Sequence, residues 1–398
     1  MTPLILLNPL LLLSERVKTI LLISPYWKEP HRWMVSSVKL AELWRRLGYR
    51  VVVACMGNAL TPNPSPAGRG ERVSMQSVSD SLKIYRMKDI FLKDPWNYGI
   101  AFGFSGFVMD IVRQEKPDLI VINKLLFWTS LSACRLRLAG KKFLLLTDAF
   151  VGMTWWPRGR LPKIGAAIYA WTLGWLILLF AEKVVTFHPQ PQKLLSRLGI
   201  AKKTQVIPTG LDPSFHVPRV HHRDPRVIVT YVGRLESVKG VDDFLEAVTP
   251  LLAHHPEALI QVVGWYKDAH PLVERHAHQV TFTGLREDVP AILSESDIFV
   301  LPSYSEGLSN ALMEAMASGC ACVASDVGGN RFLIQNGITG FLFPVGDREA
   351  LAAHVRRLIN DPSKRQTLGE AARKRIVEHF SWEVVSKMYE NLFSVFNS

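Results

Sequence analysis

The sequence has few cysteines, and none of them are arranged as metal ligands usually are. Only four occur in 398 residues, namely Cys55, Cys134, Cys320 and Cys322. They lack the short paired spacing of zinc sites, and Cys320 and Cys322 alternate along a predicted strand. We interpret them as small buried hydrophobic residues in a reducing compartment, which predicts a cytoplasmic protein.

The N-terminal segment lacks the marks of a signal peptide. Residues 1–18, MTPLILLNPLLLLSERVK, begin with apolar residues but have no basic region before them and no small-residue cleavage site. The apolar stretch is also too short to span a bilayer. We therefore interpret residues 1–16 as an apolar extension, disordered or touching a membrane, ahead of a fold that begins near Thr19.

Acidic residues are in the minority. The chain carries 47 Lys and Arg against 35 Asp and Glu, a net charge of +12. This excess favours anionic partners such as nucleotide diphosphates, nucleic acid or an acidic membrane face, and charge alone does not choose among them. A chain of this length with 48% hydrophobic residues is too long for one ordinary core, so two domains are expected.

Strand and helix patterns alternate along both halves of the chain, which is typical of an α/β fold. The first half opens with the strand TILLIS, a helix ending near Gly48 and the strand YRVVVAC, and the second half restarts at VIVTYVG. Such alternation predicts parallel sheets with helices on both faces, as in Rossmann-like doubly wound domains. The predicted segments are an N-terminal domain over 17–203 with a low-complexity loop over 57–75, a C-terminal domain over 204–376, and a C-terminal helix over 377–398.

The stretch from Asp297 to Asn330 is the most informative part of the sequence. An apolar run, IFVL, ends at Pro302, and the loop after it carries Glu306. The helix ALMEAMAS then follows, capped by Ser309 or Asn310; it is apolar almost all round except for Glu314. A carboxylate in an apolar helix needs a partner, and the carboxyl ends of parallel strands are where such sheets bind ligands. We interpret Glu306 and Glu314 as ligand-binding residues; the alternative is a loop carboxylate and one paired to a structural arginine.

Several motifs in this half occur together, in order. They are Ile207-Pro208-Thr209-Gly210-Leu211-Asp212, Gly233-Arg234-Leu235 with Lys239-Gly240, Val263-Gly264, Phe282-Thr283-Gly284, Glu306-Gly307 with Glu314, Ser318-Gly319, Ser325 to Gly329, and Asn336 to Leu342. Together they resemble retaining glycosyltransferases of family 4, which have the GT-B fold. The resemblance is dense in the C-terminal half and holds only in outline in the N-terminal half.

The resemblance implies two domains facing each other across a cleft, a C-terminal helix that crosses back to the first domain, and a nucleotide-sugar donor. It assigns Glu314 to the ribose hydroxyls and Glu306 to the transferred sugar, and it implies that the product retains its anomeric configuration. The expected donor-binding residues are Gly233, Arg234, Lys239, Glu306, Gly307, Leu308, Ser309 and Glu314.

A diphosphate leaving group needs fixed positive charge near its oxygens. Arg234 follows a predicted strand and Lys239 precedes a helix, so both are placed to supply it. The amides at the start of the helix after Leu308 add to this charge. The sequence has no Asp-x-Asp at a strand end, and we expect neither a metal nor a cofactor.

The acceptor side of the sequence departs from the family pattern. The family usually has paired glycines in the first loop, where this chain has Lys28, His31 and Arg32. Many members have a histidine directly before Asp148, where this chain has Thr147. Asp148 is therefore the candidate for orienting the acceptor hydroxyl. His188 is a second candidate, for which a purely structural role is the alternative.

One apolar run points to a membrane. Residues 164–180 are apolar, and they lie among aromatic and basic residues: Trp155, Trp156, Arg158, Arg160, Lys163, Tyr169, Trp171, Trp175 and Lys183. The run is shorter than the roughly 20 residues a spanning helix needs, and it leads directly into a predicted strand. We interpret it as a helix lying in the membrane interface, which predicts a peripheral protein on the inner face of the cell membrane and a lipid-linked or membrane-proximal glycan acceptor of cell-envelope polysaccharide synthesis. An ordinary buried helix is the alternative.

Other functions fit less well. A nucleotide-sugar epimerase of the GT-B fold is not expected to need the Glu306 and Glu314 pair, and a glucan phosphorylase needs a cofactor lysine and a longer chain. A glycoside hydrolase needs two carboxylates flanking one bond, whereas Glu314 is assigned to a nucleotide. A non-catalytic module that binds a membrane or nucleic acid would explain the charge but not the carboxylate in an apolar helix. We expect no nucleic-acid partner.

Overall fold

The computed structural model describes residues 17–28, 35–57, 73–92, 98–154, 156, 160–215 and 226–397. These residues form two compact units. The first contains residues before Leu145 other than Lys124–Leu126, and the second contains Lys124–Leu126 and the chain from Leu145 onward.

The N-terminal half builds one sheet of eight strands, in the order β10-β9-β8-β7-β1-β2-β4-β3. Strands β1, β2, β4 and β7 pair in parallel, as do β9 and β10, whereas β3 runs antiparallel to β4. All six residues of β1 and all five of β7 are buried, as expected for central strands covered on both faces. The strands of this sheet are β1 (Thr19–Ser24), β2 (Arg50–Met56), β3 (Val73–Ser79), β4 (Leu82–Met87), β7 (Leu119–Asn123), β8 (Leu144–Thr147), β9 (Lys183–Thr186) and β10 (Thr204–Val206), and a separate antiparallel pair is formed by β5 (Ile90–Leu92) and β6 (Tyr98–Ile100).

Six α-helices accompany these strands. They are α1 (Val35–Arg46), α2 (Phe104–Glu115), α3 (Ser132–Leu138), α4 (Arg160–Tyr169), α5 (Trp175–Phe180) and α6 (Gln192–Arg197). A π-helical turn over Ala170–Gly174 joins α4 to α5, so that Arg160–Phe180 is one continuous helix of 21 residues.

The C-terminal half builds a second sheet of six strands, in the order β13-β12-β11-β14-β15-β16, in which every neighbouring pair is parallel. Its strands are β11 (Val227–Val232), β12 (Ala258–Val263), β13 (Val280–Gly284), β14 (Ile298–Leu301), β15 (Ala321–Ser325) and β16 (Phe341–Phe343). Its helices are α7 (Val241–Val248), α8 (Pro271–His276), α9 (Val289–Ser294), α10 (Asn310–Ala317), α11 (Asn330–Leu333), α12 (Arg348–Asn360), α13 (Pro362–Phe380) and α14 (Trp382–Asn397).

Strand order sets the place of a ligand site in each sheet. In the second sheet the chain passes from β11 to β12 on one side and places β14 on the other, so the order reverses between β11 and β14. In the first sheet it reverses in the same way between β1 and β7. Open α/β sheets bind ligands beyond the carboxyl ends of the strands at such points. Arg234 and Glu306 follow β11 and β14, and Lys124 follows β7 directly.

A buried polar cluster fixes β14 next to β11. The Asp297 carboxylate, directly before β14, accepts a hydrogen bond from the Ile228 amide at 2.9 Å. Arg365 of α13 lies 3.6 Å from the same carboxylate and donates to the Leu358 and Ile359 carbonyls. These contacts fix the position of β14, the strand that precedes the Glu306 loop.

The fold class predicted from the sequence, an α/β protein with two Rossmann-like lobes, is confirmed. Two local predictions were wrong, and one element was missed. Residues 73–75, assigned to the low-complexity loop, belong to β3, because that segment pairs with β4. The hairpin of β5 and β6 was not predicted, since three-residue strands carry almost no periodicity. Residues 377–380, assigned to the last helix, complete α13.

The predicted domain boundaries and the crossing of the last helix to the first domain stay predictions. The extension over 1–16, residues 58–72 of the predicted loop, and His31, Arg32, Trp155 and Arg158 lie outside the described residues.

Candidate active site

Glu306 lies in the loop between β14 and α10 and is held by two side chains. Its Oε1 accepts hydrogen bonds from Lys239 Nζ at 2.8 Å and from Ser303 Oγ at 2.6 Å. The Glu306 side chain is 10% exposed and Lys239 is 24% exposed. The carboxylate is therefore fixed in an enclosed, charge-compensated position at the carboxyl end of a buried strand.

Lys239 reaches this position because its own loop lies directly on β14. The Tyr304 amide donates to the Val238 carbonyl at 2.9 Å. Gly240 has a φ of +64° and lies so close to Pro302 that a Cβ there would be 2.2 Å from the Pro302 carbonyl oxygen. Only glycine fits both requirements. The Lys-Gly pair seen in the sequence is thus one device, in which the glycine allows the approach that the lysine uses.

A third loop holds Glu306 from the other side. The Gly329 amide donates to the Gly307 carbonyl at 3.0 Å, and Ser325 Oγ donates to the Ser303 carbonyl at 2.5 Å. A Cβ at Gly328 would lie 1.9 Å from the Glu306 carbonyl oxygen. The Ser-Asp-Val-Gly-Gly segment therefore packs backbone to backbone against the loop that carries Glu306.

Arg234 is the most accessible of the predicted donor-binding residues. Its side chain is 52% exposed and its Nη1 lies 2.9 Å from Glu236 Oε1. Its carbonyl accepts a hydrogen bond from the Tyr231 hydroxyl, whose pKa is raised well above the usual value by burial and then by the charges of Glu306 and Glu236. Tyr231 therefore stays a neutral donor. Gly233 is required for the same contact, because a Cβ there would be 2.6 Å from the Tyr231 hydroxyl.

The helix α10 is capped and buried as predicted. Ser309 Oγ accepts from the Leu312 amide at 3.3 Å, and Leu308 and Ser309 are buried. Leu312, Met313, Ala315, Met316 and Ala317 pack in the core, whereas Glu314 is only partly buried. The carboxylate thus emerges from an otherwise apolar helix one turn after its N-terminus.

The two acceptor-side candidates lie together. Asp148 directly follows β8, and its carboxylate lies against Gly307, where a Cβ would be 2.8 Å from Asp148 Oδ2. His188 follows β9 and is buried. Burial lowers the pKa of His188 despite the nearby Asp148 charge, so its ring is neutral at pH 7.

Sequence reasoning missed the partner of Asp148. Lys124 Nζ lies 2.6 Å from Asp148 Oδ2, and the Lys124 side chain is 12% exposed. Burial by itself would raise the pKa of Asp148, but the charge and hydrogen bond of Lys124, with smaller contributions from the Asp148 backbone and His188, together lower it. The available signal was a cation placed directly after a buried strand.

A cavity of about 660 Å³ adjoins Glu306. The residues that line it come from the loops described above and from the segment around the start of α4; they are Thr154, Trp156, Lys163, Ser237, Val238, Asp242, Tyr304, Ser305, Glu306, Asp326, Val327, Gly328 and Arg331. No group of three or more His, Cys, Asp or Glu side chains in the described part of the chain could hold a metal ion.

Both halves of the chain match models of known protein families. The model of Glycosyltransferase Family 4 matches residues 35–215, and the model of Glycosyl transferases group 1 matches residues 226–361. The chain belongs to this glycosyltransferase family. Its two matched segments contain all the candidate site residues, Asp148 and His188 in the first and Arg234 to Glu314 in the second.

Curated relatives of this family resemble only part of the chain. Spore coat protein SA of Bacillus subtilis is 29% identical over 52% of this chain and 62% of its own length. The UDP-Gal:α-D-GlcNAc-diphosphoundecaprenol α-1,3-galactosyltransferase of Escherichia coli is 28% identical over 54% of this chain and 60% of its own length. The chain thus spans about three fifths of the length of these relatives.

Solved structures resemble nearly the whole chain. Anabaena HepE in complex with UDP and glucose superposes with a TM-score of 0.71 over 95% of this chain and 100% of its own, at 18% identity. At this identity the likeness establishes the fold of the glycosyltransferase and leaves its substrates to be argued from the site.

The contact between Gly307 and Asp148 predicts that position 307 tolerates no side chain larger than that of glycine. Gly307→Ala would press a methyl group against the Asp148 carboxylate and displace it from Lys124, so the free energy of unfolding should fall by about 1–3 kcal/mol. Gly106→Ala is the matched control, because a Cβ there meets only Arg135 Nη1 at 3.4 Å and the residue lies inside α2. That variant should be unchanged or up to about 1 kcal/mol more stable. Equal effects in chemical denaturation would contradict the packing described here.

Proposed function

We propose that the protein is a retaining, metal-independent glycosyltransferase that moves a sugar from a nucleotide-diphosphate donor to a hydroxyl acceptor that is lipid-linked or close to a membrane. The observation that carries the donor side is Glu306, fixed by Lys239 and Ser303 at the point where the strand order reverses. Membership of the glycosyltransferase family supports the same reaction class.

Charge explains how such a site would work. A departing nucleoside diphosphate gains negative charge on its β-phosphate, and fixed cations in an enclosed site stabilise it most effectively. Lys239 carries three N–H donors. Glu306 accepts one of them, so the ammonium can also contact a phosphate. Arg234 is half-exposed and can offer a bidentate contact. The N-terminus of α10 adds backbone N–H groups.

The two carboxylates divide the donor between them. Glu314 would accept hydrogen bonds from the ribose, and Glu306 would accept from hydroxyls of the transferred sugar. Asp148, against Gly307, would orient the acceptor hydroxyl on the same side of the sugar as the departing phosphate. That phosphate then takes the acceptor proton, so the new bond forms on the face from which the old one breaks and the configuration is retained.

The exposed helix Arg160–Phe180 supports a membrane-proximal acceptor. Only 28% of its most apolar 18-residue segment is buried, which favours a surface helix over an ordinary core helix. Large apolar side chains recur every three or four residues and are 40–70% exposed: Leu161, Ile164, Ile168, Trp171 and Trp175. A stripe of this kind is what a helix lying in a membrane interface presents to lipid.

Length and composition alone would allow this helix to cross a bilayer. Its connections argue against crossing, because β8 and β9, before and after it, are neighbours in one sheet. A bilayer between them would separate hydrogen-bonded strands. We therefore propose that the helix lies in the plane of the inner face of the membrane, with the protein in the cytoplasm.

Basic residues accompany the apolar stripe. Arg160 and Lys163 are exposed in its first turn, and the Arg197 guanidinium lies 5.1 Å from the centre of the Trp171 ring. These cations suit anionic lipid headgroups. Lys163 and Trp156 also line the cavity beside Glu306, so an acceptor held in the membrane would have its headgroup near the transfer site.

Nucleotide binding should not need a metal. In the presence of EDTA, UDP, GDP or ADP should raise the melting temperature, and a ligand at 100 times its Kd should stabilise the protein by about 2.7 kcal/mol. Arg234→Gln should reduce the shift. Arg113→Gln, which removes an exposed arginine of α2 that pairs with the nearby carboxylate of Asp110, should not. A shift seen only with Mg²⁺ or Mn²⁺ would refute the metal-independent site.

The two glutamates should affect different constants. Glu314→Gln should weaken nucleotide binding by about 1.5–3 kcal/mol through the loss of a charge-assisted hydrogen bond, and Glu306→Gln should chiefly lower kcat. Glu378→Gln on the exposed side of α13 is the control. Nucleotide release and calorimetry with a panel of nucleotide sugars measure both constants. Equal small effects of the two variants, or an inverted product by NMR, would count against the assignment.

Membrane binding should depend on the apolar stripe. The purified protein should co-sediment with vesicles containing anionic lipid, and added salt should weaken binding. The double variant Ile164→Ser with Ile168→Ser should weaken vesicle binding at least about tenfold. Burying these two exposed isoleucines in lipid should contribute more than about 1.4 kcal/mol. Leu138→Ser, at an apolar residue that is 89% exposed in α3, is the matched control. Protein that stays in the supernatant at low salt would refute membrane docking and favour a soluble acceptor.

A further inference from the structure

Lys124 has an unusual backbone conformation directly at the end of β7. Its φ is +78°, and that of Leu126, two residues later, is +77°. Residues other than glycine rarely adopt this left-handed region, and where they do the surroundings must fix them. The Lys124 amide donates to the Leu146 carbonyl at 2.7 Å, which ties this turn to β8. The conformation directs the lysine towards the residue that follows β8, which is Asp148.

The side chain of Lys124 is enclosed. It is 12% exposed, with Nζ 2.6 Å from Asp148 Oδ2 and 5.4 Å from the centre of the Phe187 ring. An ammonium group in such surroundings is costly unless it has a counterion. Asp148 supplies that counterion, while 35% of its own side chain remains exposed. One side of the carboxylate therefore faces the lysine and another stays accessible.

Lys124 is the main group that compensates the charge of Asp148. The titratable groups near it are Lys124 and His188, and the ring of His188 is neutral. Gln190 Nε2 lies 3.4 Å from the Asp148 carbonyl and 3.3 Å from His188 Nε2, so this amide contacts the backbone and the ring. Gly307 contributes no charge. Within the described residues, Lys124 is thus the main cation that compensates this carboxylate.

We propose that Lys124 is the positioning residue of the acceptor side, which holds Asp148 ionised and turned towards Gly307. The proposal rests on the proposed function, in which Asp148 orients the acceptor hydroxyl. A protonated Asp148 would be a weaker hydrogen-bond acceptor for the acceptor hydroxyl. Without the contact to Lys124, the Asp148 side chain could rotate away from Gly307. The strained turn at Lys124 is explained by this task.

The pH dependence of stability tests the pair without any substrate. In the wild-type protein the pKa of Asp148 is lower in the folded state than in the unfolded chain. The ionised Asp148 therefore stabilises the fold at pH values above its unfolded-state pKa, and this stabilisation is lost as the pH falls below about 4. In Lys124→Met the two largest influences that lower the pKa of Asp148 are lost, and burial, the largest single cause, raises it. Asp148 then costs stability as the pH rises from about 4 towards neutrality, and Asp148→Asn should restore stability in the Lys124→Met background.

Activity tests the positioning role. Lys124→Met should lower kcat at pH 7 at least about tenfold, change the donor KM little, and move the acid limb of the rate profile upward by about one to three pH units. Lys124→Arg keeps the charge and should recover most of the rate. Lys116→Met is the control, because Lys116 is also left-handed, with a φ of +44°, but is exposed at the end of α2.

The outcomes separate the positioning role of Lys124 from its pairing with Asp148 and from the proposed function. A lower melting temperature with an unchanged rate profile, or equal effects of Lys124→Met and Lys116→Met, would overturn the positioning role. No coupling between Lys124 and Asp148 in the stability cycle would overturn the pairing itself. If the wild-type protein transfers no sugar from any nucleotide donor, the proposed function fails, and the stability cycle still decides whether Lys124 holds Asp148 ionised.

Discussion

The contact between Glu306 and Lys239 is the interaction on which the rest of the site depends. A carboxylate that is 10% exposed is stable only with its charge compensated, and Lys239 supplies that compensation from a different loop. Three loops must therefore meet within van der Waals distance, at 237–240, 303–307 and 325–329. Glycines at 240, 328 and 329 make this possible, because a Cβ at any of them would come within 2.3 Å of a backbone oxygen.

The same logic recurs around Asp148. Here too a partly enclosed carboxylate follows a buried strand and is paired with a lysine that follows another buried strand. Asp148 lies against Gly307, one residue from Glu306, so the two ion pairs are neighbours through a single glycine. Each of these enclosed carboxylates has its own lysine, because an enclosed carboxylate is costly without a counterion.

The exposed apolar stripe of the helix Arg160–Phe180 does not result from charge pairing. Within the second unit it begins near the cavity beside Glu306 and ends at β9, and its outer stripe contacts no other part of the described chain closely enough to be buried. Large contiguous apolar surfaces are rare on soluble monomers and usually mark a binding surface. Lys163 belongs both to this helix and to the cavity, which couples the surface to the site.

The sequence by itself determined the fold class and identified the candidate donor-side residues. Apolar runs such as Ile298–Leu301, ended by proline, predict buried parallel strands whatever their neighbours, and Glu314 in an apolar helix predicts a ligand. The glycines next to Lys239 and Glu306 are visible in the sequence as motifs. The sequence does not show why they are needed, which is the close contact between loops.

Only the tertiary structure decided the rest. The pairing of Lys124 with Asp148 joins residues 24 positions apart through adjacent strands, and a left-handed lysine leaves no trace in composition or periodicity. Whether residues 160–180 are core or surface was equally open, because an apolar run has the same sequence in both cases and burial depends on what packs against it. Local patterns determine which segments form strands and helices, whereas burial and charge pairing depend on partners that are distant in the chain.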